Sequence, residues 1–252
     1  MENVLIFAGL DPSGGAGLAA DVETINQFGL TPLPIITNLT VQNTASVRRL
    51  QEVSSNLITE QYQHLQADIN FEVVKIGLLS SDEQIQTISK LISGKILVLD
   101  PIVKSSSGKD FLDQNLLLSL KKYLLPLAKI ITPNFAELCA LANLSGENNE
   151  QKAVAKLGCE WILVTKTDTS DKQIEHNLYH QNRLLESFNY AKLAGDFHGS
   201  GCTLASAIAA QIALGAAVNT ACKRALDYTY QTLLNAKSVG KMQYHPHRKL
   251  PL

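Results

Sequence analysis

Apolar residues along this chain fall in short unbroken runs, and the stretches between the runs are amphipathic. VLIFA (4–8), VVKIG (73–77), ILVLD (96–100), KIITPN (129–134) and WILVTK (161–166) mark the runs. They are too short for helices and do not alternate, which is the pattern of strands buried on both faces. PLPIITNLT (32–40) is β-rich and belongs with them. Residues 16–28 carry Leu18, Val22 and Ile25 on one helical stripe, with Gly29 as a stop. The pattern predicts further helices over 56–67, 82–91, 113–124, 135–144, 150–157, 201–214 and 217–236. HNLYH (176–180) and RLLESF (183–188) read as an antiparallel hairpin. Buried strands alternating with helices give an α/β fold, a mostly parallel sheet covered by helices on both faces. No repeat, linker or low-complexity segment divides the chain, so one domain over residues 1–252 is expected.

Composition narrows the function classes. The chain has 252 residues, 45% apolar and 18% charged, enough for one domain with a full core. A net charge of -1 leaves no basic footprint for nucleic acid. MENVLIFAGL carries an acid and a short apolar run, so it reads as a buried strand and not a signal peptide. No stretch approaches the roughly 20 apolar residues of a membrane span. Cys139, Cys159, Cys202 and Cys222 form no CxxC pair. Neither a disulfide framework nor a zinc site is expected, and a reducing cytoplasm fits.

In parallel sheets, ligands gather at the carboxyl ends of the strands. There the sequence places GLDPSGGAG (9–17), LLSS (78–81), PIVKSSSG (101–108), PNFAE (133–137) and TDTSD (167–171). HGSGCT (198–203) precedes an apolar helix. Glycines there let the chain turn tightly, and free N–H groups at the helix start would form an anion site. Cys202 would stand in the first turn, where a helix N-terminus lowers a thiol pKa. The bland alternative is a helix cap with a small buried cysteine. GLDPSGGAGLAAD (9–21) contains neither a GK[ST] Walker motif nor GxGxxG. It is either a strand-to-helix turn or a mobile loop over a ligand. Asp21 either complements the helix dipole or faces the pocket.

GLDPSGGAGLAAD, TVQNT (40–44), VVKIGLL (73–79), VLDPIV (98–103), ITPNFAEL (131–138) and HGSGCTLASAIAA (198–210) occur in order. The ordered set, spanning about residues 4 to 236, resembles the hydroxymethylpyrimidine/phosphomethylpyrimidine kinases of thiamine biosynthesis, in the ribokinase-like superfamily. The resemblance implies a ribokinase-like three-layer sandwich. It also implies two ATP-dependent phosphorylations, of 4-amino-5-hydroxymethyl-2-methylpyrimidine and then of its monophosphate.

The same resemblance assigns roles. Gly199, Ser200, Gly201 and Cys202 would form the anion hole, with Cys202 as proton acceptor where most superfamily members have Asp. Asp100 and Glu137 would support Mg²⁺ through waters. Asn134 and Lys166 would border ATP. Gly9, Ala16, Asp21 and Gln42 would hold the aminopyrimidine. The chain departs from the family at KTDT (166–169), commonly KGGH, and at SSSG (105–108), often AKSG, with Lys104 earlier. Asp196 stands where the family often has Asn. The tail YHPHRKLPL (244–252) is expected to be packed or frayed, not a metal site. A pyridoxal kinase and a non-catalytic vitamin-binding protein are the competing readings. A homodimer is compatible with the superfamily.

Overall fold

The computed structural model describes residues 3–103, 114–143, 149–168 and 172–250, with backbone only over 166–168. At its centre is a nine-stranded sheet. Its spatial order is β3 (Val47–Glu52), β2 (Thr31–Gln42), β1 (Asn3–Leu10), β4 (Val73–Ile76), β5 (Ile96–Leu99), β6 (Ala128–Ile131), β7 (Trp161–Asp168), β8 (Gln173–His180) and β9 (Arg183–Ala191). Every pairing from β2 through β7 is parallel. β3 at one edge and β8–β9 at the other are antiparallel additions.

Successive strand side chains point to opposite faces, so a run buried on both sides shows no alternation. Leu5 and Phe7 join one core cluster while Val4, Ile6 and Ala8 join the other. The first cluster is closed by α2 (Ser55–Asp68), α3 (Asp82–Leu91), α5 (Phe135–Ala142) and α6 (Glu150–Leu157). The second is closed by α1 (Gly17–Gln27), α7 (Ser200–Ala213) and α8 (Val218–Leu234). Almost every residue of α7 is buried, and its side chains are mostly small. A helix of that composition can lie close on the sheet, with α1 and α8 flanking it.

The predicted α/β sandwich is therefore observed, with three local differences. β3 has no counterpart in the sequence reading. VRRLQE is largely exposed, so no burial pattern marks it; it is held by pairing with β2. The helix expected over 113–124 begins outside the described residues. α4 (Gln114–Ser119) passes into a π-helical turn over Leu120–Leu124, and Pro126 sits inside a following 3₁₀ turn. Finally, β6 stops at Ile131; Asn134 keeps an isolated bridge to Thr165 on β7 while its side chain caps α5.

The tail is packed. Tyr244–His245 pairs with Lys237–Ser238, and Tyr244 also bridges Phe197. All four cysteines are free thiols. No helix among the described residues is long and apolar enough to cross a membrane.

The close fit of α7 yields a stability prediction. Ile208, fully buried in the second cluster, should cost about 2–5 kcal/mol on truncation to Ala, read by urea denaturation.

Candidate active site

β1 is flanked in the sheet by β2 and β4, so the chain changes direction across the sheet at this point. Such a switch opens a crevice at the carboxyl ends of the strands. The cavity found here has a volume of about 340 Å³. Its walls include Gly9 near the end of β1, Asp11 after β1, Asp100 after β5, Thr132 and Asn134 after β6, and the start of α7.

The chain turns tightly at the start of α7. Gly199 is the N-cap of α7 at φ 84°, with no side chain to occupy the helix end. A Cβ at Gly199 would overlap the Gly15 carbonyl, so the turn at 14–16 lies directly on the helix start. The first helical bond recorded is Thr203 N–H to Gly199 O at 2.9 Å. The preceding amides, of Ser200, Gly201 and Cys202, stand at the open helix end and line the cavity.

Cys202 differs from expectation in its chemistry. It is 7% exposed, and burial pushes its thiol up to about 12 despite the nearby Lys75 ammonium. The Asp100 and Asp21 carboxylates raise it further. The dipole effect expected at a helix start is thus overridden by desolvation and neighbouring acids. The resting group is a neutral thiol. Asp100 is buried too, and desolvation raises it to about 6, partly opposed by Lys75 and by a hydrogen bond from Cys202. Its Oδ2 has no hydrogen-bond partner, and neither does Thr132 Oγ1 on the same wall.

The other expected residues divide. Gly9, Ala16, Gln42, Asn134 and Glu137 all line the cavity. Asn134 and Glu137 form a capping box on α5, in which Glu137 Oε2 accepts from Asn134 N–H at 2.9 Å. Glu137 Oε1 accepts from Val103 N–H at 3.4 Å. Asp21 does not line the cavity, which corrects the expectation of a substrate contact. Both of its oxygens lie 2.9 Å from Lys75 Nζ, and Oδ1 also accepts from Ser206 Oγ at 2.8 Å. The helix that carries Asp21 turns it under α7 toward the sheet, where it neutralises a lysine on β4. Lys166 lies on β7, its side chain outside the described residues, as are Lys104 and 105–108. Asp196 is exposed and meets the tail through its carbonyl, which accepts from Tyr244 N–H at 2.8 Å.

Asp11, His198 and Lys75 had no role from sequence. Asp11 Oδ2 lies 2.8 Å from His198 Nε2 and accepts from Ala16 N–H at 2.9 Å. Burial would raise the Asp11 carboxyl, but bonds from His198, Gln42 and Ser13 prevail and hold it well below the usual range. Gln42 is thereby fixed on the wall, its amide nitrogen also 3.4 Å from His198 Nε2. One signal was available for Lys75: a charge inside an otherwise apolar strand needs a buried partner.

The model of the phosphomethylpyrimidine kinase family matches residues 11–247. The chain belongs to that family. Within the family, the hydroxymethylpyrimidine/phosphomethylpyrimidine kinase of Mycobacterium tuberculosis is 33% identical over 248 residues, 94% of this chain and 90% of that one. The chloroplastic thiamine biosynthetic bifunctional enzyme TH1 of Arabidopsis thaliana is 31% identical over 261 residues. This chain spans half the length of the plant enzyme. The solved structure of pyridoxal kinase from Staphylococcus aureus in complex with pyridoxal superposes with a TM-score of 0.89. At 21% identity, covering 99% of this chain and 94% of that one, it shows that the fold is ribokinase-like.

The Asp100 environment predicts a pH effect. An acid raised by folding, here from 3.8 to about 6, keeps protons that the unfolded chain has already released. Its ionisation therefore erodes stability as pH rises through that window. Asp100→Asn removes the effect. In metal-free buffer, the difference in unfolding free energy between variant and wild type should move in the variant's favour by about 1–3 kcal/mol from pH 4 to pH 7. Denaturant titrations at both pH values check this.

Proposed function

We propose that this chain uses ATP to phosphorylate the hydroxymethyl group of 4-amino-5-hydroxymethyl-2-methylpyrimidine, and then the resulting monophosphate, in thiamine biosynthesis. The observation that carries the reading is one cavity with three parts. The open start of α7 lies between a polar wall bearing Gln42 and an aromatic wall bearing Tyr190 and Tyr230.

The polar wall suits the pyrimidine. With the Gln42 amide nitrogen engaged by Asp11, its carbonyl oxygen is left to accept from the ring amino group. The Gly9 and Ala16 backbones border the same space. The hydroxymethyl oxygen would then face Cys202. The aromatic wall suits a nucleotide base: the Tyr190 and Tyr230 rings lie 5.0 Å apart, and Tyr190 is anchored to Asp227 Oδ1 at 2.7 Å. A γ-phosphoryl group between the two would meet the amides of 200–202, which stabilise its charge in transfer.

The alcohol must lose a proton. A thiol near 12 is a poor base at neutral pH, whereas the adjoining Asp100 carboxylate near 6 is not. The pair acts as a relay in this reading: Sγ takes the alcohol proton as its own passes to Asp100. Transfer to the monophosphate needs no such base, because that acceptor is already ionised.

Magnesium fits the oxygen donors present. Asp100 Oδ2 and Thr132 Oγ1 are buried without partners, whereas both Glu137 oxygens already accept backbone bonds. Among the described residues no group of three or more His, Cys, Asp or Glu could hold a metal ion, so substrate phosphates and water would complete its shell. Bound there, the ion would neutralise phosphate charge. Glu137 would contribute by fixing α5 and Val103.

The test is ATP consumption measured in parallel with the aminopyrimidine alcohol, its monophosphate and pyridoxal, with and without chelator. Turnover of both pyrimidines, abolished by chelator, is expected; turnover of pyridoxal alone, or of none, overturns the reading. Cys202→Ala should lower turnover of the alcohol by roughly 10²–10⁴ and that of the monophosphate much less. Equal losses would remove the relay. Gln42→Leu strands the amino group and should cut kcat/KM for the pyrimidines by roughly ten- to a hundredfold, with a smaller loss on pyridoxal.

A further inference from the structure

The tail that closes the chain carries a buried arginine. The Arg248 side chain is 2% exposed, although it lies near the chain's end, and no role in the chemistry above accounts for it. Its Nε donates to Thr203 Oγ1 at 2.8 Å, in the first turn of α7. One terminal nitrogen donates to Gly15 O, and the other lies 3.1 Å from Glu23 Oε2 and 3.5 Å from Gly14 O. The Thr203 hydroxyl in turn donates a hydrogen bond to Gly199 O at 2.8 Å. One planar guanidinium thus touches the turn that presses on the anion hole and, through Thr203, the N-cap of the anion hole itself.

The tail grips the same turn a second time. His245 packs on Gly15 together with His198, so closely that a Cβ at Gly15 would overlap both rings. The tail is fastened at several points: His198 N–H donates to Tyr244 O, His247 N–H to Thr232 O, and Tyr228 Oη to Arg248 O. It therefore offers a fixed platform. A loose strand end would not hold an arginine with four bonds in place.

We infer that Arg248 is a positioning residue, clamping the Gly14–Gly15 turn to the first turn of α7 and so fixing the amides that receive the transferring phosphoryl group. The inference rests on the anion-hole role given above. Arg248 is separated from the cavity by the turn it holds. Its loss should therefore act on the transition state more than on pyrimidine binding by Gln42.

The experiment uses the full chain with Arg248→Ala, Arg248→Lys and Thr203→Val, each checked for folding by thermal melting. Arg248→Ala should lower kcat with the aminopyrimidine alcohol by on the order of 10–100-fold, with KM for the pyrimidine changed less than about threefold. Low concentrations of guanidinium should restore part of it, and Arg248→Lys should not match wild type because an ammonium cannot span the sites. Thr203→Val removes the acceptor for Arg248 Nε and the bond to Gly199 while leaving the Arg248 contacts to the Gly14–Gly15 turn, and should lose kcat in the same sense. It serves as the test if Arg248→Ala does not fold. Hydrogen exchange at the amides of 12–17 and 199–203 should rise in the variants. That readout holds even if wild type proves inactive on pyrimidines, a result that would sink the functional reading alone. Folded variants with wild-type kcat, with a loss confined to KM, or with unchanged exchange at both segments overturn the clamp.

Discussion

Beneath the helix start that would receive phosphate lies a lysine ammonium with no access to water. Lys75 on β4 is wholly buried, and its nearest partner is Asp21, equally buried on α1. Ser206 on α7 completes the group by donating to Asp21. Two helices of the second layer, α1 and α7, are thus pinned to one point of the sheet. Desolvating a charge is costly, and removing either partner of such a pair typically costs 3–5 kcal/mol because the other is left uncompensated. Gly77, which ends the same run, has no side chain because a Cβ there would come 2.9 Å from Lys75 Nζ. Burial alone would favour a neutral lysine; the Asp21 carboxylate, with Asp100, reverses that and holds it charged.

That charge explains how an acid and a thiol can share the cavity floor. Asp100 and Cys202 are both disfavoured as anions by burial; Asp100 makes ionisation of Cys202 harder still, whereas the hydrogen bond from Cys202 eases that of Asp100. Lys75 opposes the effect of burial on both. The outcome places Asp100 near the range where it can hold or release a proton, and leaves Cys202 protonated. A cysteine at a helix start is usually read as activated. Here the same position, closed over by Gly17 and set beside two carboxylates, yields a thiol held protonated next to an acid.

Much of the fold was legible because the signals were local. Runs buried on both faces, the stop at Gly29 and the hairpin at 176–188 each arise within a few residues. β3 was not legible, because VRRLQE is stabilised by pairing with β2 and carries no burial pattern of its own. The site followed the same division. Gly199–Cys202, Gln42 and Asp100 sit in motifs whose backbone demands can be read directly. Asp21 was misread as a ligand contact because its true partner lies 54 positions away, on a strand whose lysine looked incidental. Arg248 is further still from the turn it holds, at 233 positions from Gly15, and a terminal arginine has no local reason to be buried.

The glycine-rich segments take a different meaning from this arrangement. A loop such as DPSGGAG suggests mobility, but here its atoms are held on every side. Asp11 accepts from Ser13 and Ala16 within the turn, His198 holds Asp11 from above, and Arg248 holds Gly14 and Gly15 from behind. Gly17, at φ 58°, is required because a Cβ there would overlap the Gly9 carbonyl. Backbone amides stabilise a developing charge only if they are already aimed, since reorientation during transfer would cost what the contact contributes. The glycines are therefore needed for close approach of one backbone to another, and the buried charges around them supply the rigidity. The packing of two acids and a thiol around one lysine serves the same end: the polar groups that hold the start of α7 sit where water cannot loosen them.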